Sequence, residues 1–120
     1  MRPDGGDAAR LWDMLEHARL IQRSMTGKSL TDYLTDDNLR HATERRLEII
    51  GEAAHAISQT FRDSHPGIPW HQIVAQRNVL AHGYSMVRHH DIWRLARNEI
   101  SDLIKSLVPL VPPPPPENPT

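Results

Sequence analysis

Apolar residues in this chain return at every third or fourth position, and no stretch alternates apolar with polar at every second one. That period belongs to helices, whose side chains realign about every 3.6 residues, and not to strands. Four segments carry it. Leu11, Leu15 and Ala18 form one seam, and Met14, Ala18, Ile21 and Met25 a second; together they predict a helix from about Asp7, its N-cap, to Met25, stopped by Gly27. Leu47, Ile50, Ala54, Ile57 and Phe61 predict one long helix from about Asp37 to Arg62 behind the capping cluster Thr35-Asp36-Asp37. A third segment follows Ile68. The fourth runs from about Asp91 to Val108, with Trp93, Ala96, Ile100, Leu103 and Leu107 inward. Ser29 to Leu34 makes a short helical turn with Leu30, Tyr33 and Leu34 inward. The chain therefore reads as all-α, an up-and-down bundle of about four main helices.

Residues 1–108 form this helical domain, and 109–120 a proline-rich tail. Pro109 ends the helical pattern, and Pro112 to Pro116 is an unbroken polyproline run, extended and unable to join a helical core. In the second long helix Gly51, Ala53, Ala54 and Ala56 leave little bulk, which predicts close approach of a neighbour. Trp12, Trp70 and Trp93 fall on or beside apolar stripes and read as packing residues.

The third segment carries the chemistry. In Ile68 to Tyr84, IPWHQIVAQRNVLAHGY, Pro69 suits a first helical turn, and Trp70, Ile73, Arg77 and Leu80 form one stripe. Gly83 ends it as a left-handed stop. Arg77 is a charge where the period asks for a hydrophobe. Asn78 and His82 lie one turn apart on one face, and Arg77 stands about 140° of arc from His82, so the two could flank one groove. An arginine fork suits phosphate oxygens, and a histidine can take and give a proton near neutrality. Together they could cleave a phosphodiester without a metal. The bland alternative also holds on physical grounds: Arg and His near a helix C-terminus complement its dipole, and an arginine stem can lie along apolar surface.

Arg77-Asn78-x-x-x-His82-x-Tyr84 resembles the R-x4-H-x-Y signature of HepT-like toxins, a branch of the HEPN superfamily of small helical ribonucleases. Leu47 to Ala54 is similar to the family's LEIIGEAA segment, and His65 to Trp70 to its HP-x-IPW lead-in. The resemblance runs from about Leu11 to Leu107. It implies a metal-independent endoribonuclease, the toxin of a toxin–antitoxin pair. His82 would transfer protons, Arg77 stabilise the phosphorane-like transition state, and Asn78 orient His82 or the phosphate. Glu52 and Tyr84 would border the active-site groove. It also implies a partner, a minimal nucleotidyltransferase antitoxin that can block such toxins by adding AMP to the motif tyrosine, here Tyr84. One departure stands out: Arg88 occupies a place where the family usually has an acidic residue. The competing reading is a non-catalytic helical module that binds a nucleotidyltransferase or a nucleotide.

Composition bounds these readings. A net charge of −1 argues against coating nucleic acid by bulk electrostatics, so RNA contact, rather than DNA binding, must come from a local patch. Arg40, His41, Arg45 and Arg46 offer one candidate track, with a solvated face as the alternative. The absence of cysteine excludes disulfides and thiolate metal sites and suits a reducing, cytoplasmic setting. No apolar run is long enough to span a membrane, and no signal peptide is evident. Among the eight histidines, His89 and His90 are adjacent and would point apart, and no H-x3-H pair has carboxylates at ligand spacing, so no metal or cofactor is expected. Finally, attack by a 2′-hydroxyl needs a proton acceptor and a proton donor, but the motif has one histidine. A two-fold homodimer with both His82 side chains in one cleft supplies the second.

Overall fold

The computed structural model describes residues 2–83 and 87–112. Among them every regular element is helical, as the period requires. The elements are α1 (Gly6–Met25), α2 (Leu30–Thr35), α3 (Asp37–Ala56), α4 (Gln59–Ser64), α5 (Trp70–His82), α6 (His89–Arg94) and α7 (Ile100–Leu107). A π-helical turn, Leu95–Glu99, joins α6 to α7 into one continuous last helix, and a 3₁₀ turn, Val108–Leu110, follows.

Helix α3 is the centre of the bundle, packing on α1 along one side and on α5 along another, while α1 also packs on α7. The stripes read from the sequence meet here. Leu11, Met14, Ala18 and Ile21 of α1, Leu47, Ile50 and Ala54 of α3, and Ile100, Leu103 and Leu107 of α7 are all buried in one cluster. Among the described residues helix α5 makes its extensive contact with α3 alone, so it lies to one side of the bundle.

Several boundaries move for physical reasons. The long helix expected over 37–62 breaks at Ile57, whose ψ of 141° is extended, and Ser58 then caps α4 by accepting from Phe61 N–H. The break is held from outside. Ser58 donates its N–H and its hydroxyl to the two carboxylate oxygens of Asp7, at 2.8 and 2.7 Å. Asp7 is therefore not the N-cap of its own helix, which begins one residue earlier behind Gly5. Periodicity cannot show the break, because Ile57 at the break and Phe61 on α4 both still pack on the core.

Helix α2 forms where expected, closed by a capping box between Ser29 and Asp32. Tyr33 is fully buried, but Leu34 faces outward, since six residues of helix turn a single side inward. Gly27 takes the left-handed conformation at φ 74° after α1. The last helix starts two residues earlier than the spacing suggests, at His89. Past Pro109, Leu110 and Val111 still pack against the core. The polyproline residues from 113 onward lie outside the described residues. Trp70 is buried, whereas Trp12 and Trp93 are half-buried.

Candidate active site at the end of α5

Helix α5 is seated at both ends by its own sequence. Pro69 stands just before the first helical residue, and the Trp70 indole N–H donates to the His65 carbonyl at 2.9 Å. Phe61 stacks on His65 at 4.1 Å and meets Trp70 edge-on at 6.3 Å, so the HP-x-IPW stretch folds into an aromatic corner. At the other end Gly83 N–H closes on Val79 O at 2.8 Å. Gly83 has φ −117°, not the left-handed conformation expected of it, because an ordinary helical hydrogen bond already finishes the last turn.

Only one side of α5 is covered. Trp70 and Leu80 are buried and Ile73 and Val74 pack partly against the core, while His71, Ala75, Asn78, Val79, Ala81 and His82 are exposed.

The anomaly of Arg77 now has a cause. A Cβ added to Gly51 of α3 would fall 2.1 Å from Arg77 Cβ, 2.8 Å from its Cγ and 3.1 Å from the Ile73 carbonyl oxygen. Nothing but hydrogen fits there. The stem of Arg77 lies along the backbone of α3 where a hydrophobe would otherwise sit, and its head continues toward the surface. Nη1 donates to Asn78 Oδ1 at 2.9 Å, while Nε is buried with no hydrogen-bond partner among the described residues. Asn78 thus holds Arg77; it makes no hydrogen bond to His82 among the described residues, although both are exposed at one-turn spacing. His82 is the last residue of α5, open to solvent. Tyr84 lies outside the described residues.

Glu52 follows Gly51 and keeps 44 % of its side chain exposed, but its nearest cation is Arg45 at 3.7 Å rather than Arg77. Arg45 also donates to Glu48 at 3.0 Å. The basic track on α3 is largely engaged in structure. Arg40 caps the carbonyls of Tyr33 and Leu34 and pairs with Asp37, and Arg46 donates to Ser24 Oγ at 3.2 Å. His41 remains exposed. His89 and His90 diverge as expected: His89 turns toward Glu44, and His90 toward Trp93 and Arg94.

An apolar groove between α3, α5 and the last helix is lined by Leu47, Ile50, Ile73, Gln76, Leu95 and Ile100, and neither Arg77 nor His82 borders it. Arg77 and His82 thus lie outside that groove, with His82 at the exposed end of α5. One group escaped the sequence reading altogether. Glu44, in the N-terminal half of α3, is buried, and its place three residues before Leu47 on the apolar stripe is the signal that marks it.

Along most of its length the chain is similar to known ribonucleases. The family described as Ribonuclease HepT-like matches residues 14–109. "Probable ribonuclease HepT" of Thermococcus cleftensis is 34% identical over 93 residues, covering 78% of this chain and 84% of that one. "Putative RNase MJ1380" of Methanocaldococcus jannaschii is 30% identical over 99 residues, 82% of this chain and 91% of its own. "Putative RNase TTE0752" of Caldanaerobacter subterraneus is 34% identical over 94 residues, 78% and 84% of the two chains. No solved structure matches the chain. With an all-helical bundle, an arginine seated on a glycine and a histidine at the free end of the same helix, the chain belongs to the HepT-like ribonucleases of the HEPN superfamily.

Proposed function

We propose that this ribonuclease is a metal-independent endoribonuclease and the toxin of a two-component pair. The observation that carries the reading is the seat of Arg77: a charged side chain packed onto Gly51 and held by Asn78, with His82 exposed one turn beyond Asn78. His82 takes the proton of a ribose 2′-hydroxyl as that oxygen attacks the adjacent phosphorus. Arg77 neutralises the charge that grows on the phosphoryl oxygens, and Asn78 keeps its guanidinium from swinging away. The bond from phosphorus to the 5′-oxygen breaks, leaving a 2′,3′-cyclic phosphate, and the 5′-oxygen takes up a proton.

One imidazole cannot accept and donate in the same step. The open face of α5, with Val79 38 % exposed upon it, supports a two-fold homodimer whose two motifs complete one cleft. The cognate partner is a minimal nucleotidyltransferase. It silences the toxin when the Tyr84 oxygen attacks the α-phosphorus of ATP, forming the AMP ester and releasing pyrophosphate. Glu52 borders the same cleft, balanced by Arg45.

Purified protein incubated with total RNA in EDTA tests the reading. The wild type should leave cyclic-phosphate ends, and Arg77→Ala and His82→Ala should each lose about 10²–10⁴ in rate with unchanged helical circular dichroism. Undiminished cleavage by either variant refutes the assignment. A wild type that binds the nucleotidyltransferase but cleaves nothing would make the chain the non-catalytic module instead.

A further inference from the structure

Three buried polar atoms that lack a hydrogen-bond partner among the described residues gather where α2, α3 and α6 meet: the Tyr33 hydroxyl, Glu44 Oε1 and His89 Nδ1. Glu44 Oε1 stands 3.6 Å from His89 Nδ1, with the Glu44 side chain 8 % exposed and the His89 ring 40 %. The gap is a few tenths of an ångström longer than a hydrogen bond. A buried carboxylate is costly unless paired, and an imidazole becomes a cation near neutrality. The other charged or titratable neighbours do not pair with Glu44. Arg40, one turn earlier on α3, is engaged by Asp37 and by the carbonyls of Tyr33 and Leu34. Tyr33 is neutral, since burial first and the charge of Glu44 second push its hydroxyl well above its ordinary value, with Arg40 opposing. Arg88 and His90, which flank His89, are exposed. Among the described residues, His89 alone brings a cationic group within 4 Å of Glu44.

The location ties the pair to the motif. Glu44 lies two turns, about 10 Å, before Gly51 on α3, and His82 lies about 7.5 Å beyond Arg77 on α5. Gly51 and Arg77 touch, and the chain leaving α5 already meets Glu44 at its seventh residue past His82. Glu44, His89 and His82 therefore occupy the same end of the α3–α5 layer.

We propose that Glu44 and His89 form a pH-dependent anchor, which fastens the first turn of the last helix to α3 and so positions the end of the bundle that carries His82. Both are positioning residues for the cleavage proposed above, and that part of the inference rests on that reading. When His89 is protonated the two orphan atoms close into an ion pair. When it is neutral that attraction is absent.

A double-mutant cycle on the full chain, with Glu44→Gln, His89→Gln and both, tests the anchor by denaturant unfolding at about pH 6 and about pH 8.5. The single variants should fail to add, with a coupling of about tenfold in the unfolding constant at the lower pH and about twofold at the higher. His89→Lys, a cation at both pH values, should keep the coupling at both. Additive effects at low pH, or the same coupling at both, overturn the anchor. RNA cleavage tests positioning: Glu44→Gln should lower kcat about three- to tenfold at pH 6 with KM nearly unchanged, and have little effect at pH 8.5. An unchanged kcat at pH 6 overturns the positioning role. A wild type that cleaves no RNA sinks the ribonuclease reading instead, and the unfolding cycle still decides the anchor.

Discussion

Gly51→Ala is the substitution on which the seat of Arg77 stands or falls. The added methyl would sit 2.1 Å from Arg77 Cβ, which is 1.3 to 1.9 Å short of the 3.4–4 Å of ordinary van der Waals contact. Neither atom can escape by a rotamer change, because both are Cβ atoms fixed to helical backbone. The helices themselves must part. Overpacking of this kind costs roughly 1–3 kcal/mol, and a clash between two rigid atoms belongs at the upper end. Replacing glycine by alanine in a helix interior returns about 1 kcal/mol in propensity. A net loss of about 2 kcal/mol follows, or roughly 5–10 °C in Tm for a domain of this size. Activity should suffer more than stability, since a 1 Å displacement of a positioned group can cost about 10²-fold in rate. Thermal unfolding and RNA cleavage would measure both. Two second-site changes isolate the cause. Arg77→Ala keeps the offending Cβ and should not restore Tm, whereas Arg77→Gly removes it and should recover most of the loss without recovering cleavage. A Gly51→Ala protein as stable and as active as the wild type would refute the argument.

The Asp7–Ser58 link should make stability depend on pH. Hydrogen bonds from Ser58, the hydroxyl first and the backbone N–H second, hold the Asp7 carboxyl below its ordinary value. A depressed folded-state pKa contributes stability above the ordinary carboxylate value of about 3.9, and that stability is lost as pH falls through the folded value. Asp7→Asn should therefore lower Tm near pH 7 and approach the wild type near about pH 2–3; an equal deficit at both would show that the charge is irrelevant. Incubation with the cognate nucleotidyltransferase and ATP should add AMP to Tyr84 and suppress cleavage, and mass spectrometry placing AMP on Tyr33 would count against this. Sedimentation should find a homodimer, and an active monomer would remove the shared cleft.

The helices were legible because burial stripes are local: Leu11 to Met25, Leu47 to Ala54 and Ile100 to Leu107 each declare a face through spacing alone. The same local logic exposed the candidate site, since Arg77 broke a stripe and His82 closed its helix. Spacing within one helix, however, says nothing about what lies across the gap. It could mark Gly51 as small but could not pair it with Arg77, because that contact depends on how α3 and α5 are placed in register. It ran one helix through Ile57, because the break is enforced by Asp7, fifty-one residues away from Ser58. It left Arg40 and Arg46 as a possible RNA track, because their carbonyl and hydroxyl partners lie on α2 and α1. It left Glu44 unnoticed, because a carboxylate on an apolar stripe acquires meaning only when another helix brings an imidazole to it. The period of the chain decided which residues turn inward; the packing of the helices decided which of them meet, since contact between elements is a property of their placement and not of either sequence alone.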